Sequence, residues 1–433
     1  MLYTSGRQFR DWSGDYRLFE KGRFNPDRLF APALRRTLAA LGEDQDIVAH
    51  LDDTRCRRWG KKVSGASWHR DPLGPHFRTN FLWANRFLQI SLSLPEGAAP
   101  CGARAIPVDL QHCPCQRKPK PKDSPEAWKE WKEIRKRQRL PRIAAERLSK
   151  LREGLDKIEA AKNRRLVVSV DGGLTNTTFF AGTPDNIAKI GRIRKDAKLY
   201  ALPQDSNPRG RPRIYGEQLP TPQAIRADEN HPWTQERAWA AGREHVFKIK
   251  TLSQVRWRGA GKQNLRLVIV APLHYRLSKE SRILYHDPAY LICTDPDLPL
   301  EKLIQDFVWR WGIEVNFRDK KTLLGMGEAQ VWTPTSVALV PAFIAAAYAC
   351  LQLAVHETYG EKGKCPLPNP KWQRRKTEER ITTPQMIKML RGELWGRSLG
   401  VRSFSDFANQ TNCDMKWEKR PTHLKSAVFY AIR

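Results

Sequence analysis

The chain has 433 residues and a formal net charge of +30, from 76 Lys and Arg against 46 Asp and Glu. Forty per cent apolar residues and 15 Trp exclude a disordered chain and leave ample material for a packed core. So large a basic excess repels itself unless a polyanion neutralises it, which points to nucleic acid and leaves an anionic membrane as the rival.

Against the membrane, the one long uncharged run, Ser336 to Val355, contains Pro341, Gln352 and many Ala, and no second span accompanies it. It reads as a buried core helix, and no membrane partner is expected. Residues Met1 to Arg10 are polar and lack the apolar stretch of a signal peptide. Eight scattered Cys show no disulfide spacing, which fits a reducing cytoplasm.

In chain order, residues 1–45 read as a mostly helical lead-in. Ile47–Asp52 (IVAHLD) reads as a buried strand, and Phe87–Leu94 (FLQISLSL) alternates as a second strand should. Residues 97–123, rich in Pro, Gly and Lys, read as a loop. Its Cys113-Pro114-Cys115 step is tighter than a zinc-binding pair, so Cys101, His112, Cys113 and Cys115 are expected to be ordinary loop residues. Ser124-Pro125-Glu126 is a helix start with a cap, a Pro and an acid at the positive end. Beyond Pro141, Leu148, Leu151, Leu155 and Ile158 form one apolar stripe. From 116 to 165, 18 basic residues face 8 acidic ones, a net of +10; this is either a solvated helix face or a DNA contact.

Leu166–Asp171 (LVVSVD) is the clearest buried strand. A region rich in Gly, Pro, Arg and Trp follows from 195 to 288, with short strands such as Arg266–Val270. Ala289–Thr294 reads as another strand, Pro299–Leu324 as one strong helix, and a basic tail carries Trp372, Trp395 and Trp417. Strands separated by helices suggest an α/β layer fold.

Two buried strands end in acid, at Asp52-Asp53 and at Asp171. A carboxylate where a strand leaves the sheet is open to metal and substrate, although Asp at such a place also caps the following turn. The helix that follows is more specific. At 100° per residue, Phe307, Arg310, Glu314 and Lys321 fall within about 40° of one line. An acid flanked on one helix face by Arg and Lys suits a metal held beside phosphates, while a row of surface ion pairs is the plainer reading. Alternation places Asp52 with His50 and Asp171 with Ser169 on faces that carry polar groups, whereas Asp53 shares the more apolar side of Ile47, Ala49 and Leu51.

These residues resemble a known family. Phe307, Arg310, Glu314 and Lys321 match the Tyr-x2-Arg-x3-Glu-x6-Lys signature of bacterial insertion-sequence DDE transposases, with Phe in place of Tyr. Asp52-Asp53-Thr54 looks like their first-Asp motif, Asp-x-Thr, and Asp171-Gly172-Gly173 like their second. The resemblance implies an RNase H-like (retroviral-integrase-like) α/β fold, a mixed sheet flanked by helices with a β-rich insertion between the second Asp and the Glu. The implied organisation is a lead-in at 1–45, shortened relative to the DNA-binding region such enzymes carry. A first core part spans 46–194, the insertion 195–288, a second core part 289–360, and a basic C-terminal region 361–433.

Asp52, Asp171 and Glu314 would then be catalytic and hold two Mg²⁺ ions, with Mn²⁺ as a substitute. Arg310, Lys321, Arg318 and Phe307 would contact DNA. The implied partners are double-stranded DNA, both transposon ends and target, and a second copy of the chain. A Trp of the insertion (Trp233, Trp239 or Trp257) would stack on a flipped base or pack in the core. Arg209, Gly210, Arg211, Pro212 and Arg213 match the core of a minor-groove AT hook, with a plain basic turn as the alternative. A nuclease that cuts without joining, and a non-catalytic DNA-binding derivative, are the competing functions.

Overall fold

The computed structural model describes residues 11–71, 74–75, 77–203, 212–276, 281–360 and 380–396. The chain divides into two compact units, Met1–Ala346 and Ala347–Arg433.

The first unit begins with two helices, α1 (Ser13–Glu20) and α2 (Pro26–Ala40). The side chain of Asn25 caps α2 by accepting the Asp27 N–H, and Pro26 occupies the first turn, where its missing N–H costs nothing. Strands β1 (Ile47–Arg57), β2 (Ser67–Arg70), β3 (Phe81–Pro95) and β4 (Ala103–His112) come next. Helices α3 (Pro125–Arg137) and α4 (Leu140–Asp156) lead to β5 (Leu166–Val170), α5 (Thr177–Gly182) and β6 (Ile187–Arg192).

β1 pairs antiparallel with β3 and parallel with β5; β5 pairs parallel with β6, and β4 adds to the outer side of β3. An antiparallel ribbon joined to two parallel strands, with helices on its faces, is the mixed α/β arrangement of an RNase H-like core.

Between β6 and the next long helix the chain builds a second run of strands: β7 (Leu199–Tyr200), α6 (Pro222–Ala227), β8 (Thr234–Ala240), β9 (Arg243–Trp257), β10 (Leu265–Val270), the short ladder of β11 (His274–Tyr275) with β12 (Leu284–Tyr285), and β13 (Ala289–Cys293). β13 returns to pair antiparallel with β6, so these strands extend the same sheet to eleven, in the order β2-β3-β1-β5-β6-β13-β10-β9-β7, with β4 beside β3 and β8 beside β9. Helices α7 (Leu300–Trp309), α8 (Trp311–Thr322) and α9 (Pro334–Tyr359) follow. In the second unit, α10 (Thr383–Gly396) is described, and the Tyr348 hydroxyl bonds that of Thr383 at 3.0 Å.

The two faces of the central sheet differ. On one, Ala49, Leu51, Leu88, Ile90, Leu92, Val168 and Val170 pack against Ala144 and Leu148 of α4 and Phe179 and Phe180 of α5 in a single apolar core. On the other, His50, Gln89, Ser91, Ser93 and Ser169 are also fully or almost fully buried, so the alternation in β3 does not mark a solvent face. The Ser169 hydroxyl donates to the Asp306 carbonyl of α7, and Lys320 of α8 donates to Gln89, so α7 and α8 cover this polar side. Burial there is tolerated because these groups find partners, Ser169 and Gln89 on the covering helices and His50 on Ser93 of β3.

Three sequence expectations change. The stretch expected as a loop at 97–123 contains β4, with Pro107 inside it; β4 is an edge strand, and the β3–β4 register shifts at Ile90/Ser91 beside this Pro, so its missing N–H breaks no central ladder. The first strand runs on to Arg57, five residues past Asp52. The helix expected at 299–324 is two helices, separated at Arg310 by three-residue turns in which Arg310 N–H bonds Phe307 O and Ile313 N–H bonds Arg310 O.

Helix α9, the uncharged run, is long and apolar enough to cross a membrane, yet just over half of its most apolar stretch is buried. Its Ala342, Ala345 and Ala346 pack with Phe30, Phe87 and Leu110.

Phe180 is fully buried and meets the Trp257 ring edge-on at a centroid distance of 6.0 Å. Phe180→Ala leaves a cavity under the parallel strands and is expected to destabilise the fold by about 3–5 kcal/mol, read as a lower urea midpoint with an unchanged slope; a loss below about 1 kcal/mol would contradict this packing.

Candidate active site

The site grows out of strand register. In the parallel β1–β5 ladder Leu51 stands beside Val170, so Asp52 and Asp171 are the next pair, at the point where β5 ends. Arg152 fixes the approach to β5: its buried guanidinium donates to the carbonyls of Ala161, Lys162 and Arg164 and pairs with Asp156. Beyond β5 the chain turns tightly. Asp171 Oδ1 accepts the N–H groups of Gly173 (3.0 Å) and Leu174 (3.2 Å), and the Thr175 hydroxyl donates to the Asp171 carbonyl (2.7 Å). A side chain at Gly191 would meet Thr175 Oγ1 at 2.6 Å, so only Gly on β6 lets this turn lie so close. Asp171 therefore caps a turn with one oxygen and keeps the other for different work.

The neighbouring acids on β1 have separate fates. Asp53 is held by both arms of Arg86, at 2.7 and 2.8 Å, with Arg55 at 3.6 Å. Asp52 turns to the opposite face, where Arg310 Nη1 lies 3.6 Å from Oδ2, while its Oδ1 accepts the Asp53 N–H at 2.7 Å. Arg310 also reaches Glu314, at 3.1 Å, and lies 5.9 Å from the centre of the Phe307 ring. The structure thus brings Asp52, Asp171, Arg310, Glu314 and Phe307 to one place.

Lys321 is farther along α8, half-buried near Cys56, Arg55 and Asp53; burial lowers its pKa. Arg318 points outward and pairs with Asp319 at 2.9 Å. Arg213 is exposed, and Arg209 and Arg211 lie outside the described residues. Of the insertion Trp residues, Trp257 packs against Phe180 in the core and Trp239 is half-buried; Trp233 is more exposed, with the Lys250 ammonium 4.7 Å from its ring centre. His112 packs against Phe87 and contacts Asn85, and Cys113 is a buried thiol.

The electrostatics are unfavourable to the Asp52 carboxylate. Burial pushes the Asp52 carboxyl up to about 7, the Asp171 charge adds to the rise, and Arg310 and the Asp53 N–H oppose it. The buried His50, bonded to Ser93 at 2.6 Å, falls to about 3 through burial and the nearby Arg310 charge. Arg310 keeps its own Nε buried without a hydrogen-bond partner, an unused donor beside the carboxylates.

No three His, Cys, Asp or Glu side chains among the described residues stand close enough to hold a metal ion, and Arg310 lies between Asp52 and Glu314. The donor chemistry nevertheless fits a hard divalent cation: the available oxygens are carboxylate oxygens, and the Asp171 charge repels Asp52 even with Arg310 beside it.

The residue that sequence reading missed is Lys320. It is fully buried, bonds Gln89 opposite Asp52, and burial lowers its pKa to about 7. The signal was available in the polar alternation of Gln89, Ser91 and Ser93, once that face is understood to be covered.

The raised Asp52 carboxyl fixes a stability trend. Between pH 4 and 7 the folded chain holds a proton that the unfolded chain releases, so stability falls as pH rises through this window. Asp52→Asn removes the effect. In chelator at pH 8 the variant is expected to exceed the wild type in stability by up to about 4 kcal/mol, and the two should converge near pH 4. Equal denaturation curves at both pH values would show that Asp52 is not strained.

A family model described as DDE superfamily endonuclease matches residues 13–263, more than half of the chain, and includes Asp52 and Asp171 while ending before Glu314. No curated protein matches the sequence. The match, on a mixed α/β sheet that sets two acids side by side at a strand end, shows that the chain belongs to the DDE superfamily of endonucleases.

Proposed function

We propose that this endonuclease-family chain is a DNA transposase of the Tyr-Arg-Glu-Lys branch, cleaving transposon ends and joining them to target DNA. The observation that carries the reading is the pairing of Asp52 with Asp171 across the β1–β5 register, with Glu314 bridged to Asp52 through Arg310.

In this reading Asp52, Asp171 and Glu314 would hold two Mg²⁺ ions, with Mn²⁺ as a substitute, and the bound ions would supply the positive charge that activates water or a 3′-OH and stabilises the leaving oxygen. The chain's own residues do the rest. Arg310 trades its carboxylate contacts for a phosphate, to which its free Nε can also donate. Lys321 and Arg318 contact the flanking backbone, and Phe307 supports Arg310 by packing, without the hydroxyl that Tyr would bring.

Arg209, Arg211 and Arg213 supply a further DNA contact in the insertion. Two copies of the chain act on paired ends, and the work is done in the cytoplasm on nucleoid DNA. The lead-in, the two core parts, the insertion and the basic C-terminal region keep the boundaries given above.

Glu314→Gln removes a ligand and leaves the cationic grip. Cleavage of the element's own ends in Mg²⁺ should fall by at least about a hundredfold, with duplex affinity near that of the wild type. Cleavage at the normal rate would sink the assignment. If the wild type cuts but released 3′-OH ends never join a second duplex, the narrower endonuclease reading replaces transposition.

Arg310→Ala and Lys321→Ala should each flatten the plot of log affinity against log salt by about 0.9. Unchanged slopes would mean that these cations only balance protein acids.

A further inference from the structure

Beyond Asp52, β1 and β3 continue as a ribbon, and β2 pairs with the far end of β3. This end carries an unusual surface. Trp59 is 82% exposed, Trp68 66% and Phe81 62%. Trp68 meets Trp83 edge-on at 5.6 Å, and the Trp83 indole N–H is fixed on the Gly60 carbonyl. Arg57 lies over the Trp59 ring at 4.3 Å, and Arg70 stands opposite Phe81. Trp332, also exposed, joins the edge through its carbonyl, which accepts the Ser64 N–H.

The chemistry of this patch selects its partner. From Arg55 to Arg70 there are six Lys and Arg and no Asp or Glu, and Arg57, Lys61, Lys62 and Arg70 of these are exposed. A protein partner would have to bring flat apolar groups into a cluster of cations. A nucleic acid strand brings flat apolar faces and negative charge together, but a duplex hides its base faces inside the stack. The fit is therefore to unpaired bases.

The patch is also aligned with the acids. Gln89 stands opposite Asp52, and along β3 the residues Phe81, Trp83, Phe87 and Gln89 alternate onto one face. From Gln89 to Trp83 is six residues, about 20 Å of strand, or about six nucleotides at the spacing of stacked bases.

We propose that Trp59, Trp68 and Phe81 form a stacking platform for the unpaired DNA strand on one side of the cleavage point. This rests on the endonuclease reading of the acids and adds to it the form of DNA that is held. The platform grips single strand through ring faces, and its arginines track the backbone.

The test is fluorescence anisotropy of end-labelled oligonucleotides with the full chain, wild type against Trp68→Ala/Phe81→Ala. Both side chains are exposed, so the variant should fold as the wild type does, which circular dichroism checks. Affinity for single-stranded DNA should fall by roughly five- to a hundredfold, while fully paired duplex binds as before and Trp68→Phe retains most of the single-strand affinity.

Equal binding of single strand by the double variant, or equal losses on single strand and duplex, would overturn the platform. A shift in oligomeric state by sedimentation with DNA binding intact would also overturn it, making the patch a contact between copies. Because duplex cleavage depends on Glu314, loss of the platform and loss of the endonuclease reading are separate results.

Discussion

Two negative charges held side by side at the end of a parallel ladder are the condition to which the rest of the molecule responds. The β1–β5 register leaves Asp52 and Asp171 no choice of neighbour. Burial removes most of the water from Asp52, whose carboxyl is driven to about 7. Arg310 answers from the turn between α7 and α8, with one nitrogen shared between Asp52 and Glu314. Asp53, one residue away, adds the smallest share of the repulsion, because Arg86 and Arg55 hold it on the other face. The local instability is concentrated where positive charge can relieve it, as expected of a functional site rather than of a structural ion pair.

The sheet can sustain this cost because its faces have different tasks. The apolar face, closed by α4 and α5, supplies transfer free energy and close packing. The polar face is equally buried, but its side chains find partners on α7, α8 and β3: Ser169 a carbonyl of α7, Gln89 the Lys320 ammonium of α8, and His50 Nε2 the Ser93 hydroxyl of β3. Such a face contributes little net stability per bond, yet any slip of the covering helices would strand several buried polar groups at once. That penalty holds Glu314 in position over strands whose own side chains do not reach it.

Much of this was legible in the sequence, for identifiable reasons. The stretches that lead up to the two acids are short apolar runs with few alternatives, and the face of Asp52 followed from strict alternation with His50. The juxtaposition of Arg310 and Glu314 followed from a four-residue helical step. What escaped depended on tertiary context. Pro107 marked β4 as loop, although an edge strand beside a register shift tolerates Pro. The turn at Arg310 leaves no trace in composition, since Trp309, Arg310 and Trp311 all suit a continuous helix. Lys320 beside Lys321 looks like one of two solvated lysines, and only the covering of Gln89 distinguishes them.

The unequal lengths of the central strands have a further consequence. β1 bonds β5 only as far as Leu51, yet continues to Arg57. Over its last residues the side of β1 facing away from β3 has no strand partner among the described residues. An open edge of this kind invites pairing with a second molecule, the first step of sheet-driven aggregation. Arg55 and Arg57 stand along that edge, while Arg58 just beyond it is buried on Asn85, Gly327 and Ala329. The charges of Arg55 and Arg57 make strand addition by another basic copy unfavourable while leaving the edge open to an anionic ligand. The same arginines thus act as guards against self-association, and neutralising them would be felt first as loss of solubility.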